Sequence, residues 1–154
     1  MNRIFIEAKN SKTSECCFLE TILKSQFPDK TYDITCMDGV DNLFSQGIIT
    51  LIRTFQDGGD NVLVILDADT IDKGWGFEAR KRSTIEKMRK NEIEFPFFLY
   101  PNNHDDGDFE VLLESLARKD LHTKWWDCFA DYETCVSGIR NESGETKYVI
   151  PNRK

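Results

Sequence analysis

The chain reads as an α/β protein, a Rossmann-like fold whose largely parallel central sheet is flanked by helices. Three observations predict it. Short β-branched and aromatic runs alternate with longer amphipathic stretches through most of the 154 residues, and repeated strand–helix alternation lays successive strands side by side in parallel. After Asn61, the run Val62-Leu63-Val64-Ile65-Leu66 is apolar at every position. A strand without polar alternation is buried on both faces, as in a parallel sheet covered by helices. That run stops abruptly at Asp67-Ala68-Asp69, and open α/β sheets keep their sites at the carboxyl ends of their strands.

Each element can be justified in order. Residues 3–7 form a short apolar strand ending on an acid, Glu7. Ser11 or Thr13 caps a helix with Cys17, Phe18, Ile22 and Leu23 as its buried stripe, and Pro28 lies just beyond it. Residues 31–36 return as a strand, and Gly39 marks a turn. Asp41 caps a second helix whose apolar face holds Leu43, Phe44, Ile48, Leu51, Ile52 and Phe55; Gly58-Gly59 ends it. The strand at 62–66 follows, then a loop through Gly74 and Gly76 and a basic helix from about Phe77 to Lys90. Residues 95–100 make a further strand, with Pro96 keeping its first residues out of a central ladder. A polar loop over 101–107 leads to a helix beginning near Asp108, supported by the spacing of Phe109, Leu112, Leu113 and Leu116. Another helix is expected over about 124–136 and a last strand over 148–150.

Hydrophobic residues make up 40% and charged residues 31%, which predicts one soluble globular domain over residues 1–154. Its core spans about 3–116, with a C-terminal helical and strand extension over about 119–154. A net charge of −7 argues against a broadly basic nucleic-acid-binding surface. It remains compatible with an enzyme that meets phosphates through a metal and a local basic patch, here Arg80, Lys81, Arg82, Lys87, Arg89 and Lys90. No apolar stretch is long enough to cross a bilayer, and Met1-Asn2-Arg3-Ile4 reads as a strand beginning rather than a signal peptide. Five cysteines without a CxxC pair, and only two histidines, point away from a zinc site and toward reduced thiols in the cytoplasm.

The candidate site is acidic. Glu7, Asp67 and Asp69 fall at strand ends on the carboxyl edge of the sheet, and Glu110 lies in the first turn of the helix after the fourth strand. Carboxylates this close repel each other and resist desolvation. A hard divalent cation, Mg²⁺ or Mn²⁺, removes that cost and keeps waters and positions for substrate phosphates. Asp69 also suits a turn residue capping the next segment, and Glu110 a helix-start carboxylate facing the macrodipole. Asn102 and Asn103 suit either substrate contact or turn chemistry. His104 suits a proton-transfer group or ligand and Asp105, Asp106 and Asp108 further metal ligands, but a solvated loop is the expectation for His104 and for at least two of the three aspartates. Trp75, Trp125 and Trp126 could stack bases, but burial is the expectation for them.

The order strand-Glu, helix, strand-Gly, helix, strand-Asp-x-Asp, carried by Ile4-Phe5-Ile6-Glu7, Gly39 and Ile65-Leu66-Asp67-Ala68-Asp69, resembles a TOPRIM domain. Topoisomerases, bacterial-type primases and OLD-family nucleases share that module. The segment from Phe98-Leu99-Tyr100-Pro101 through Asn102-Asn103-His104-Asp105-Asp106-Gly107 to Asp108-Phe109-Glu110-Val111-Leu112-Leu113 is similar to a TOPRIM-like family of small stand-alone bacterial proteins. Its Gly-Asp-Phe-Glu portion resembles the glutamate-bearing helix start of OLD-type TOPRIM nucleases. The resemblance covers most of residues 3–116. It implies Glu7 as metal ligand or general acid/base, Asp67 and Asp69 as metal ligands, Glu110 as support for a second metal, and Gly39 as a site of close backbone packing. Two departures stand out: Ala8 follows the glutamate where glycine is common, and Thr70-Ile71-Asp72-Lys73-Gly74 follows the aspartate pair where a further acid or glycine is frequent.

The function expected is Mg²⁺-dependent phosphoryl transfer on nucleic acid, most simply phosphodiester hydrolysis. The alternative is a non-catalytic TOPRIM-like module that binds nucleic acid, a nucleotide, a protein partner or a second copy of itself. An aspartate-nucleophile phosphatase fits less well, because that motif reads Asp-x-Asp-x-Thr on the first strand and Thr70 comes one residue early. Metal-dependent glycosyltransferases use Asp-x-Asp in domains generally larger than this chain.

Overall fold

The computed structural model describes residues 1–140 and Gly144, so the strand expected over 148–150 lies outside the described residues. Four strands, β1 (Asn2–Ile6), β2 (Tyr32–Cys36), β3 (Asn61–Asp67) and β4 (Phe97–Tyr100), form one sheet in the order β2-β1-β3-β4. Every neighbouring pair is parallel. The crossovers are helical: α1 (Ser14–Gln26), α2 (Gln46–Asp57) and α3 (Phe77–Lys90), with α4 (Phe109–Leu116) after β4 and α5 (Thr123–Ser137) beyond it. The α/β architecture with a parallel, helix-flanked sheet is thus the one the sequence predicts. The chain divides into two compact units, Met1–Leu112 and Leu113–Lys154, and the sheet belongs to the first.

Side chains alternate across the sheet, and each face has its own cover. On one face Phe5, Val64, Leu66 and Leu99 are wholly buried in a cluster with Leu43, Ile49 and Ile52. Phe77 and Met88 of α3 complete that cluster. On the other, Ile4, Ile6 and Ile65 are buried, and a relay of rings runs from Phe98 to Tyr100 (5.8 Å), Phe109 (5.4 Å) and Phe18 (5.4 Å). Fully burying side chains of this size contributes roughly 1.5–3 kcal/mol each. The relay holds α1 and the start of α4 over the carboxyl end of the sheet.

Four details differ from the sequence reading. Thr13 caps α1, its hydroxyl accepting from Cys16 N, and the inward residue is Cys16 at 1% exposure while Cys17 faces out. One residue is a 100° turn on a helix, enough to exchange the two thiols. The helix expected from Asp41 is broken: a 3-10 turn, Val40–Phe44, ends at Ser45, whose extended backbone and hydroxyl cap α2 instead. β4 begins at Phe97 because Pro96 lacks an N–H, although its carbonyl still accepts from Val64 N at 3.1 Å. Trp75 and Trp125, for which burial is expected, are 36% and 57% exposed.

No helix among the described residues is long and apolar enough to cross a membrane.

Candidate active site at the carboxyl edge of the sheet

Glu7 follows β1 directly and Asp67 closes the adjacent strand β3. Their approach follows from register: Ile6 lies opposite Ile65, so Glu7, one residue on, and Asp67, two residues on, emerge at one rim. Glu7 Oε2 accepts a hydrogen bond from Asp67 N at 3.3 Å. Asp67 Oδ1 accepts from Phe109 N, the first amide of α4, at 3.0 Å. A helix N-terminus ordinarily holds a carboxylate ionised. Here burial wins: desolvation, then the charges of Glu7 and Glu15, push the Asp67 carboxyl up to about 8. Desolvation likewise raises Glu7, against the bond from Asp67 N and the charge of Arg80.

Asp69 sits in a different environment. It leaves the strand in a left-handed conformation, φ 60°, and its main chain bridges to Gly107 (N···O 2.8 Å). Its carboxylate is taken by two cations: Oδ1 accepts from Lys73 Nζ at 3.2 Å and Oδ2 from Arg80 Nη2. Lys73 also reaches Asp108 Oδ2 at 3.1 Å, while Asp108 Oδ1 caps α4 through Val111 N at 3.1 Å. Arg80, expected on a basic surface patch, is 5% exposed, its guanidinium stacked 4.0 Å from the Trp75 ring. Its Nε finds no acceptor among the described residues. The exposed remainder of that patch is Lys81, Arg82, Arg89 and Lys90.

Glu15, in the first turn of α1, is the residue the sequence reading missed. Desolvation, then the charges of Glu7 and Glu110, push its carboxyl up to about 7. The charge of Glu110, in the first turn of α4, therefore reaches Glu15, although no hydrogen bond or ion pair among the described residues joins it to Asp67. Glu7, Glu15 and Asp67 form no ion pair among the described residues, which contrasts with Asp69 and Asp108. Tyr100, raised by burial and then by the charges of Glu15 and Asp67, closes the corner from β4.

Comparison with family models, curated proteins and solved structures finds no match. The site is read from its own chemistry. Among the described residues no three His, Cys, Asp or Glu gather closely enough to ligate one ion. Mg²⁺, however, is usually held by one or two carboxylates, with waters and substrate phosphates completing its shell. An all-oxygen pair, Glu7 and Asp67, desolvated and in no ion pair among the described residues, fits that pattern. Asp69 does not add to it in this arrangement, because Lys73 and Arg80 hold its oxygens.

Of the other candidates, the loop after β4 is ordered by its own polar groups. Asn102 Oδ1 accepts from His104 N (3.1 Å) and Asp105 N (2.8 Å). Asn103 satisfies the outer edge of β4, its Oδ1 accepting from Leu99 N at 3.2 Å and its N donating to Leu99 O at 2.7 Å. These residues do turn chemistry. At Gly39 the resemblance implied close packing, but an added Cβ would meet nothing within 4 Å; the backbone φ of 107° is what calls for glycine.

Proposed function

We propose that the protein is a Mg²⁺- or Mn²⁺-dependent phosphodiesterase acting on nucleic acid, of the TOPRIM-like kind its motifs resemble. The observation that carries this reading is the acidic corner of Glu7 and Asp67 at the ends of two adjacent parallel strands, with Glu15 of α1 beside them and no ion pair to any of the three among the described residues. Buried acids with strongly raised pKa values concentrate at functional sites, since stability alone does not favour them. Glu7 and Asp67 are the residues that would hold the ion. Once bound, it would acidify a coordinated water and offset charge on the phosphate.

The chain's own groups supply the rest. The Phe109 amide orients the Asp67 carboxyl. The Asp67 amide orients Glu7. Asp69 and Asp108 hold Lys73 and Arg80 beside the corner, where a substrate phosphate needs positive charge. Glu15, with a pKa near 7, is suited to accept a proton from water on a carboxyl oxygen and return it to a leaving group.

The test is incubation with single- and double-stranded DNA and RNA in Mg²⁺, Mn²⁺ or EDTA. Metal-dependent cleavage is expected, lowered about 10³-fold by Asp67→Asn and by Glu7→Gln, the rate equivalent of roughly 4 kcal/mol. Cleavage indifferent to Asp67→Asn sinks the proposal. A second reading, a non-catalytic module that binds nucleic acid, is favoured by the occupation of both Asp69 oxygens. Metal and nucleic-acid binding without turnover would select it.

A further inference from the structure

A cleft of about 580 Å³ opens between the loop after β3, the start of α3 and the loop after β4. Ile71, Trp75, Phe77, Arg82, His104 and Asp106 line it. We propose that it binds a nucleobase of a single-stranded nucleic acid, stacked on Trp75. The proposal rests on the phosphodiesterase reading for the fate of the strand, but not for the binding itself.

Trp75 is built as a platform. Its N donates to Thr70 O at 3.1 Å, and the following Gly76 N donates to Ala68 O at 3.2 Å, tying the loop to the end of β3. The Arg80 guanidinium backs one face of the indole at 4.0 Å. The residue is nonetheless 36% exposed, so the ring's remaining surface meets the cleft. A rigid, half-open indole stacks a base of any identity, because every base has a π-face.

A second planar pair lines the cleft. His104 stacks on Phe77 with centroids 6.3 Å apart and planes 25° from parallel. Asp106 is locked below it, its Oδ1 accepting from Phe77 N at 2.7 Å. Gly76 makes room for that bond, since an added Cβ would stand 2.8 Å from Asp106 Oδ1. The lining carries one cation, Arg82, and two acids, Glu78 and Asp106, and Lys81, whose Nζ lies 5.2 Å from the Phe77 ring, is a second cation nearby. Arg82 and Lys81 are the groups that would meet the phosphates on either side of a stacked base. The size falls within the range of small-ligand sites. Through Arg80, the platform is also joined to Asp69, two residues beyond Asp67.

The test uses the full chain in EDTA, so that cleavage plays no part. Binding of a fluorescein-labelled dodecamer, DNA or RNA, is followed by anisotropy for the unaltered chain, Trp75→Ala and Trp75→Phe. Trp75→Ala should weaken binding about 5- to 150-fold, the range for loss of one base–aromatic stack, while Trp75→Phe stays within about threefold. Equal affinity for all three chains overturns the proposal, as does an equal loss in both variants, which would mark a structural role. Independently, the oligonucleotide should quench Trp75 emission in the Trp125→Phe/Trp126→Phe chain, and this decides the matter if Trp75→Ala fails to fold. Absence of quenching overturns it. Quenching by mononucleotides without quenching by the dodecamer overturns the strand in favour of free nucleotide. Quenching in a chain that cleaves nothing refutes the phosphodiesterase reading and leaves the base site standing.

Discussion

The two ends of β1 and β3 treat their acids in opposite ways. At the amino end Asp60 receives the N-terminal amine at 2.7 Å and Arg3 Nε at 2.8 Å, while Arg3 Nη1 reaches Asp33 at 3.0 Å. The bonds from the amine and from Arg3 hold the Asp60 carboxyl below its ordinary range. At the carboxyl end of the same strands, Asp67 and Glu7 are raised instead, with Glu15 beside them. The difference is one of assignment rather than supply. Lys73 and Arg80 stand next to the corner and are spent on Asp69 and Asp108. A fold selected for stability alone would spread that charge.

The strongest way to break this comparison is through turnover. Asp67→Asn should cost about 10³-fold in cleavage, whereas Asp60→Asn, at the other end of the same strand, should leave it within about twofold. Equal losses would mean that the carboxyl end is not special. Next in size is metal-linked stability. With Mg²⁺ at a hundred times its dissociation constant the folded state should gain about 2.7 kcal/mol, read as a rise in Tm. That rise should vanish in Asp67→Asn and persist in Asp60→Asn.

A smaller effect sharpens the comparison by its sign. In the metal-free folded chain Asp67 and Glu15 keep protons up to about pH 8 and about pH 7, against ordinary values of 3.8 and 4.5. Between those limits the folded state binds more protons than the unfolded one. Stability therefore falls as pH rises through the window and levels off above it. Melting in EDTA should occur at a higher temperature near about pH 5.5 than near about pH 8.5, and Asp67→Asn should flatten the profile. Asp60 has the opposite sign. Its depressed pKa contributes stability that is lost only as pH falls below the usual carboxylate range. A rising profile between pH 5.5 and 8.5 would refute the raised carboxyls.

Much of the fold was legible because strand and helix periods were clean, and Asp67 was legible because it ends a run with no other polar residue. Glu15 was not. In sequence it is a first-turn acid behind a Thr13 cap, complementing a helix dipole. The docking of α1, with Phe18 on Phe109, brings it to the corner, and spacing along the chain does not encode that docking. Arg80 was misread as surface because it lies among Lys81 and Arg82. A usable signal existed: Phe77, Arg80, Thr84 and Met88 share one helical stripe, and all four are buried. Asp69's partners depend on the left-handed turn and on a lysine and an arginine arriving from different elements, which one-dimensional spacing does not encode.

The smallest effect separates the two ends most sharply, because the same chemical change should act differently at each. Asp33→Asn and Glu15→Gln each remove one negative charge. Asp33 is 52% exposed, and its partner Arg3 keeps both Asp60 and a contact 4.1 Å over the Phe55 ring. Exposed pairs of this kind contribute little, so Asp33→Asn should move Tm by about a degree or less. Glu15 feels the charges of Glu7 and Glu110 and forms no ion pair among the described residues. Near about pH 8 its ionised form opposes folding, and Glu15→Gln should raise Tm by a few degrees, with the gain vanishing near about pH 5 where the carboxyl is already protonated. A gain that persists at low pH would come from packing rather than charge, and the corner would then lose its distinction from the amino end.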